Sequence, residues 1–559
     1  MPSNHPARRW RRVCAAAPAL LAIAAGAAGC GGSSGSGSAD PAGLTPASAP
    51  LVANVALKPA GGSRAAAAVA ASKLTHLAEP YASLAQTLLA SPGAKLEYKR
   101  DLSPWIGERA AIFLTSLNAG KLTQSAGSLQ SLLQGGLSGL SSVLDIGALS
   151  AQGTQGAIVL STSDAGAANS FLSKQAAALG AHSDRYRGIS FHVAPSGLAE
   201  GMVKDFAVIG SEASLHAVID TSLGGPSYAN ASGYVKPSSD TIASIYAKPE
   251  ALLGATGAGS GATGAQFSSL ASQFLHGVQS ASLTVTGTGS AISLQGEAHT
   301  TGTTKPLFGS EGAQALGELP ASAWLAAGVG DTGANLPRAL GLLQGVASLG
   351  SSTVFANFGG PSIERVFKTL SAPGAHLQQT FGSWAGPGAM FVSGSSLFNL
   401  QAALVIASKN PAASQAAVAK LAGLMHAAGA VVANASIPGT DAAKSVKLQG
   451  FPAVIFIADG AGKFVLGLGQ QSVEGALSPS ATLSTSAAYS SAAATLGGGL
   501  EPSLIVEFPT LLGFLEGVGL TQSPGVSNLV PYLKSLGTLT AGASSQGSVS
   551  RYKAVLGLS

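Results

Sequence analysis

The chain has 559 residues, 46% of them hydrophobic and only 10% charged. That length is enough for two or more domains, and that composition excludes a disordered chain. The formal charge of +5 misleads, because Arg8, Arg9, Arg11 and Arg12 stand together near the N-terminus. Without them 26 basic residues face 25 acidic ones, a balance that argues against a nucleic-acid partner. Two cysteines, Cys14 and Cys30, cannot make a disulfide framework or a cysteine-based metal site.

Residues 1–29 read as a secretory signal, with a basic region ending at Arg12 and an apolar run from Val13 to Ala28. The run is too short and too rich in Ala and Gly for a membrane span. It closes on Ala27-Ala28-Gly29-Cys30, which resembles the lipobox of bacterial lipoproteins, with Ala27 where Leu is usual. The resemblance implies that Cys30 takes a diacylglycerol, becomes the new N-terminus and, with palmitate-class chains, holds the protein on the extracytoplasmic face of the cell membrane. The arginines raise twin-arginine export beside the general secretory route, but Trp10-Arg11 spoils the apolar positions expected after such a pair. Residues 30–50 read as a flexible tether: after Cys30 they are almost all Gly, Ser, Pro and Ala, with one acid. Gly31–Gly35 has the spacing of a nucleophile elbow without the strand and helix an elbow needs.

The first unit is expected over 51–300. A strand near Leu51–Leu57 precedes one Ala-rich helix, about Ser63–Ala90. The stretch from Leu102 to Leu114 contains Trp105-Ile-Gly107 and leads into a strand. Ala157–Ser161 is a strand, after which Asp164 caps a helix that Gly180 ends. Gly188–Ala194 and Phe206–Gly210 are read as paired strands, and Ser211 opens a helix to Ile219. Strands at Ile242–Ala247, Ala281–Thr286 and Ala291–Glu297 follow. Residues 301–319 read as a linker.

The second unit, 320–559, repeats this order. Trp384-Ala-Gly386 leads into a strand, and Ala403–Ala407 matches Ala157–Ser161. Asn410 caps a helix that has Pro411 at its first position and Gly429 at its end. Val454–Ala458 is matched to Ser190–Ala194, and Phe464–Leu477 to Phe206–Ile219 without a gap. Ile505 is matched to Ile245, and Leu539 to Leu283. The reading is a tandem duplication: an α+β chain of two pseudo-repeat lobes, each a mostly antiparallel sheet with packed helices. One difference stands out. From Trp105 to Ala157 is 52 residues, and from Trp384 to Ala403 only 19. The first unit therefore carries an insertion, 117–155, whose leucines fall at helical spacing.

With its Pro104-Trp-Ile-Gly107 stretch after the first helix and its Gly/Ala-rich body, the chain resembles lipoproteins of high-GC Gram-positive bacteria that carry a domain of unknown function, family 3352. The resemblance spans about 50–559. It implies a surface lipoprotein, and no functional residue can be carried over from it.

Signals for chemistry are weak. Gly328-Val-Gly-Asp-Thr-Gly333 fits a dinucleotide fingerprint, but about one chance match is expected at this glycine content, and no acid follows at the right distance. A second match, Gly259–Gly264, lies in low-complexity sequence. Ser550 and Lys553 have Ser-x-x-Lys spacing in a closing strand, where they point to opposite faces. Glu212 and His216 read as a solvated helix pair. Trp105 and Trp384 read as core anchors. No catalytic, cofactor or metal residue is assigned; Cys30, as a lipidation site, is the one site residue. The expected function is a membrane-anchored binding or interaction protein that takes an apolar ligand or a cell-envelope protein. The alternative is an extracytoplasmic hydrolase with a site between the lobes.

Overall fold

The computed structural model describes residues 40–58, 63–75, 78–89, 96–116, 155–231, 233–238, 240–249, 251, 277–301, 308–336, 365–366, 368–370, 372, 375–523, 526–527 and 529–559. Helices and antiparallel strands mix throughout, as the α+β reading expects. The chain divides into two compact units at Gly302/Thr303. Cys30, the signal segment, the second glycine match and residues 117–154 of the insertion lie outside the described residues.

Among the described residues the first unit forms one antiparallel sheet of ten strands. They are β1 (Leu51–Ala56), β2 (Ile106–Ser116), β3 (Gln155–Thr162), β4 (His182–Tyr186), β5 (Ile189–Val193), β6 (Leu198–Val203), β7 (Phe206–Ser211), β8 (Thr241–Ala247), β9 (Val278–Thr288) and β10 (Ala291–Thr300). Their order across the sheet is β10-β9-β8-β1-β2-β3-β7-β6-β5-β4. Helices α1 (Ser63–Thr75), α2 (Pro80–Leu89) and α3 (Ala165–Ala178) lie over one face, around a core of Tyr81, Leu84, Trp105, Leu160 and Leu172. Helix α4 (Glu212–Ser222) covers the other, with Phe113, Val159, Val208 and Leu215. Both faces of β3 are therefore buried, and its sequence is a near-continuous apolar run.

The second unit has β11 (Ala323–Val329), β12 (Ala385–Ser393), β13 (Gln401–Ser408), β14 (Val431–Asn434), β15 (Ala442–Lys447), β16 (Val454–Gly460), β17 (Lys463–Leu468), β18 (Leu504–Glu507), β19 (Leu536–Gln546) and β20 (Val549–Leu558). Their order is β20-β19-β18-β11-β12-β13-β17-β16-β15-β14. Helices α5 (Ser310–Gly317), α6 (Leu377–Phe381), α7 (Pro411–Ala427), α8 (Gln470–Leu477), α9 (Ala487–Leu496), α10 (Phe508–Gly517) and α11 (Val530–Lys534) accompany it. Trp384, Phe464 and Leu421 form the core under α7, and Phe391, Val465 and Val473 the core under α5 and α8.

Several expectations are corrected. The single helix over 63–90 is two, because Pro80 begins a new one. The tether of 30–50 is folded from Asp40 onward. Ala42, Leu44, Thr45 and Ala49 are buried. Asp40 accepts hydrogen bonds from the Tyr234 hydroxyl, from Asn54 Nδ2 at 3.2 Å and from Ala42 N at 3.0 Å. The linker of 301–319 contains α5, and it belongs to the second core through Leu316 of that helix and Leu319 just after it. Its glycines looked like linker, but a Cβ on Gly312 would stand 2.7 Å from Gly328 O, so the helix needs glycine to reach the strand.

Strand β6 was not expected. It separates β5 from β7, so Gly188–Ala194 and Phe206–Gly210 are not neighbours. Val454–Ala458 lies in β16, next to β17, and so takes the place of β6 and not of β5. Register also overturns the ungapped block. Ala157 pairs with Gly210 and Ala403 with Gly467, which sets Phe464 level with Ala207, one residue from Phe206. The helices that follow keep the original offset, since Leu215 and Val473 are both buried, and Gly469 takes up the extra residue. Ile505 likewise stands level with Tyr246, and Thr540 with Ser282.

Candidate functional site

The residues singled out by sequence prove largely structural. Trp105 and Trp384 are buried, and their Nε1–H groups donate to Asp101 O at 2.8 Å and Thr380 O at 2.6 Å. The glycine two residues on has the same role in each unit. A Cβ would meet Ser161 Oγ at 2.5 Å from Gly107, and Ala407 O at 2.9 Å from Gly386, where each strand slips register against its neighbour. In Gly328–Gly333, Gly328 faces Gly312 O at 1.8 Å from where a Cβ would sit, and Gly333 faces two carbonyls at 3.0 Å. Asp331 pairs with Lys409 at 3.1 Å. These glycines are filled by backbone packing.

Ser550 is buried and bonded to Ser545 at 2.7 Å, while Lys553 Nζ donates to Thr495 O and Leu496 O at the C-terminal end of α9. His216 lies 3.9 Å from Glu212, and its ring stacks on Tyr186 at 4.0 Å. Among the described residues no group of three or more His, Cys, Asp or Glu could hold a metal ion.

Two features escaped the sequence reading. The first is an apolar surface on the second unit. The β12–β13 connection exposes Phe398 completely and Leu397 by half. Asn399 Oδ1 fixes it, accepting from Ser395 N at 3.0 Å, Ser396 N at 2.8 Å and Ser396 Oγ at 2.9 Å. Gly394 turns the chain at φ 94°. Trp324 ties the base of the loop to α10: its Nε1–H donates to Gly394 O at 2.9 Å, and its ring lies 6.2 Å from that of Phe514. Helix α10, Phe-Pro-Thr-Leu-Leu-Gly-Phe-Leu-Glu-Gly, has no fully buried residue. Behind the loop, the cross-strand pair Met390 and Leu404 is also exposed.

The second is Glu200 on β6. It is 2% exposed, and neither carboxyl oxygen has a hydrogen-bond partner. Its cross-strand neighbours are His192 and Ile209, and it shares its face with Leu198 and Met202, on the core beneath α3. Burial pushes its carboxyl up to about 7. Strand register puts Ile457, fully buried, at the level place in the second unit. There Asp459, two residues on, is the buried acid; burial also raises it, and the Ser414 hydroxyl opposes the shift.

Fold and surface together define an α+β protein of large antiparallel sheets with an exposed apolar loop. The chain belongs to the DUF3352 family, described as proteins of unknown function, which matches residues 13–498. No curated protein matches it. Among solved structures, crystal forms I and III of TP0453 are similar at 10% identity, with TM-scores of 0.26 and 0.25. Each covers 48% of this chain, and 82% and 83% of the other.

Proposed function

We propose that this protein is a lipid-anchored, extracytoplasmic binding protein built from two duplicated units. Its signal segment is 1–29, Cys30 is the lipidation site, and the second unit carries the binding surface. The observation that carries the binding reading is the apolar surface of Leu397, Phe398 and α10. Contiguous exposed apolar residues on an ordered scaffold mark interaction sites. Duplication is supported by the strand orders given above and by the matched tryptophan bonds and strand-slip glycines. The units run from about Asp40 and about Ser310, and the second includes α5. No described helix is long and apolar enough to cross a membrane. A lipid at Cys30 is the attachment the sequence offers.

Fractionation of cells tests the anchor. Cys30→Ala should move the protein from membrane to medium, and a variant that stays membrane-bound and uncleaved refutes lipidation. Cross-linking from the second unit tests the surface. Phe398→Ser with Leu397→Ser should abolish the adducts formed by the parent protein, and undiminished adducts would place the binding elsewhere.

A further inference from the structure

We infer that the Leu397-Phe398 tip and helix α10 enter the interfacial layer of a phospholipid bilayer. This rests on the reading that this surface is the second unit's binding site, and it names the occupant. Three observations favour lipid over protein. The tip is ordered by the three bonds to Asn399 and by Trp324, so its apolar side chains are held out in water with no route to fold back. The tip is free of charge: from Thr369 to Ser408 the chain has no Asp, Glu, Lys or Arg, so its entry into a bilayer desolvates no ion, and the one charged residue of α10, Glu516, is exposed near the helix end, where a carboxylate stays at the headgroup level. Ser395, Ser396 and Asn399 beside the tip are small and polar, as suits the headgroup boundary. Helix α10 adds Phe508, Leu511, Leu512 and Leu515, which recur every three to four residues and are half-buried.

The first unit offers an independent parallel. Its β2–β3 connection leaves the sheet at the place that β12–β13 occupies in the second unit. That connection, residues 117–154, has Lys121 and Asp145 as its only charged residues. A protein-docking loop gains specificity from charge at its rim, and both connections are nearly bare of it.

The test is vesicle flotation with the chain starting at residue 30 and carrying Cys30→Ala, which leaves every described residue in place. Vesicles are phosphatidylcholine alone and phosphatidylcholine with phosphatidylglycerol. The parent is expected to float with both, equally at about 0.1 M and 0.5 M salt, because apolar insertion is not screened. Leu397→Ser with Phe398→Ser should reduce flotation at least tenfold. Both residues are exposed, so an unchanged melting temperature and far-ultraviolet spectrum should accompany the loss. Flotation confined to anionic vesicles and released by salt overturns the inference, as does equal flotation of the double variant. If the parent never floats but its tip cross-links to an envelope protein in a Phe398-dependent way, the binding surface stands and the bilayer inference falls. If neither occurs, both fall.

Discussion

Glu200 gives the first unit an unusual dependence on pH. A glutamate titrates near 4.3 in an unfolded chain and at about 7 in this fold. Its folded-state pKa is thus raised, and the protonated form is the one the fold favours. The favourable contribution is complete below about pH 4, declines as pH rises and is gone above 7. Relative to Glu200→Gln, the wild-type chain should lose roughly 2–3 kcal/mol between pH 5 and pH 8, measured by denaturant melts at both values. Parallel curves for the two proteins would show that the carboxyl has a partner in solution. Glu200→Ile, which copies Ile457, should stabilise the unit at pH 8. Gly328 is a second sensitive residue. Gly328→Ala would drive a Cβ into the Gly312 carbonyl. We expect a loss of about 2–4 kcal/mol, near the upper range for overpacking, with the effect confined to the second unit in hydrogen exchange.

At the scale of elements, the two caps make a matched pair of predictions. Asp164 Oδ1 accepts from Ala167 N at 2.9 Å and Asn410 Oδ1 from Ala413 N at 3.2 Å. Alanine at either position should cost about 1 kcal/mol, and each loss should appear in its own unit's amides first. These caps were legible because side-chain chemistry fixes them locally. Central strands were legible for the opposite reason: burial on both faces writes an unbroken apolar run. Strand β4 was not. It is an edge strand, His-Ser-Asp-Arg-Tyr, exposed along nearly all its length, and edges carry charge to discourage further pairing. Strand β6 was hidden by Glu200 and Gly201, which interrupt any alternation, and Gly201 is there because Phe191 lies 2.7 Å from where its Cβ would be. The one-residue slip between Phe206 and Phe464 could not be read without the hydrogen-bond ladder, since a single residue inserted at Gly469 restores the apparent match. The tip was illegible too, because Leu-Phe has the same letters in a core as in water. Asn399→Ala should free it, speeding exchange at Ser395 and Ser396 while leaving the β12–β13 ladder protected.

For the whole molecule, the folding of residues 40–50 changes what Cys30 can do. Once Asp40 is fixed by Tyr234 and Asn54, only residues 31–39 remain between the proposed lipid and the first unit. Ten peptide steps at full extension span about 35 Å, and as a flexible chain nearer 17 Å. A protein lipidated at Cys30, as proposed, would on so short a leash patrol a shallow layer above the bilayer. Its encounters would be with lipids and membrane-surface proteins, at a local concentration that freely diffusing copies would not reach. Inserting about 30 Gly/Ser residues after Ser38 would deepen that layer without touching the fold. Cross-links to membrane-surface neighbours should then fall and those to components farther from the bilayer rise; an unchanged pattern would mean the leash does not set the range.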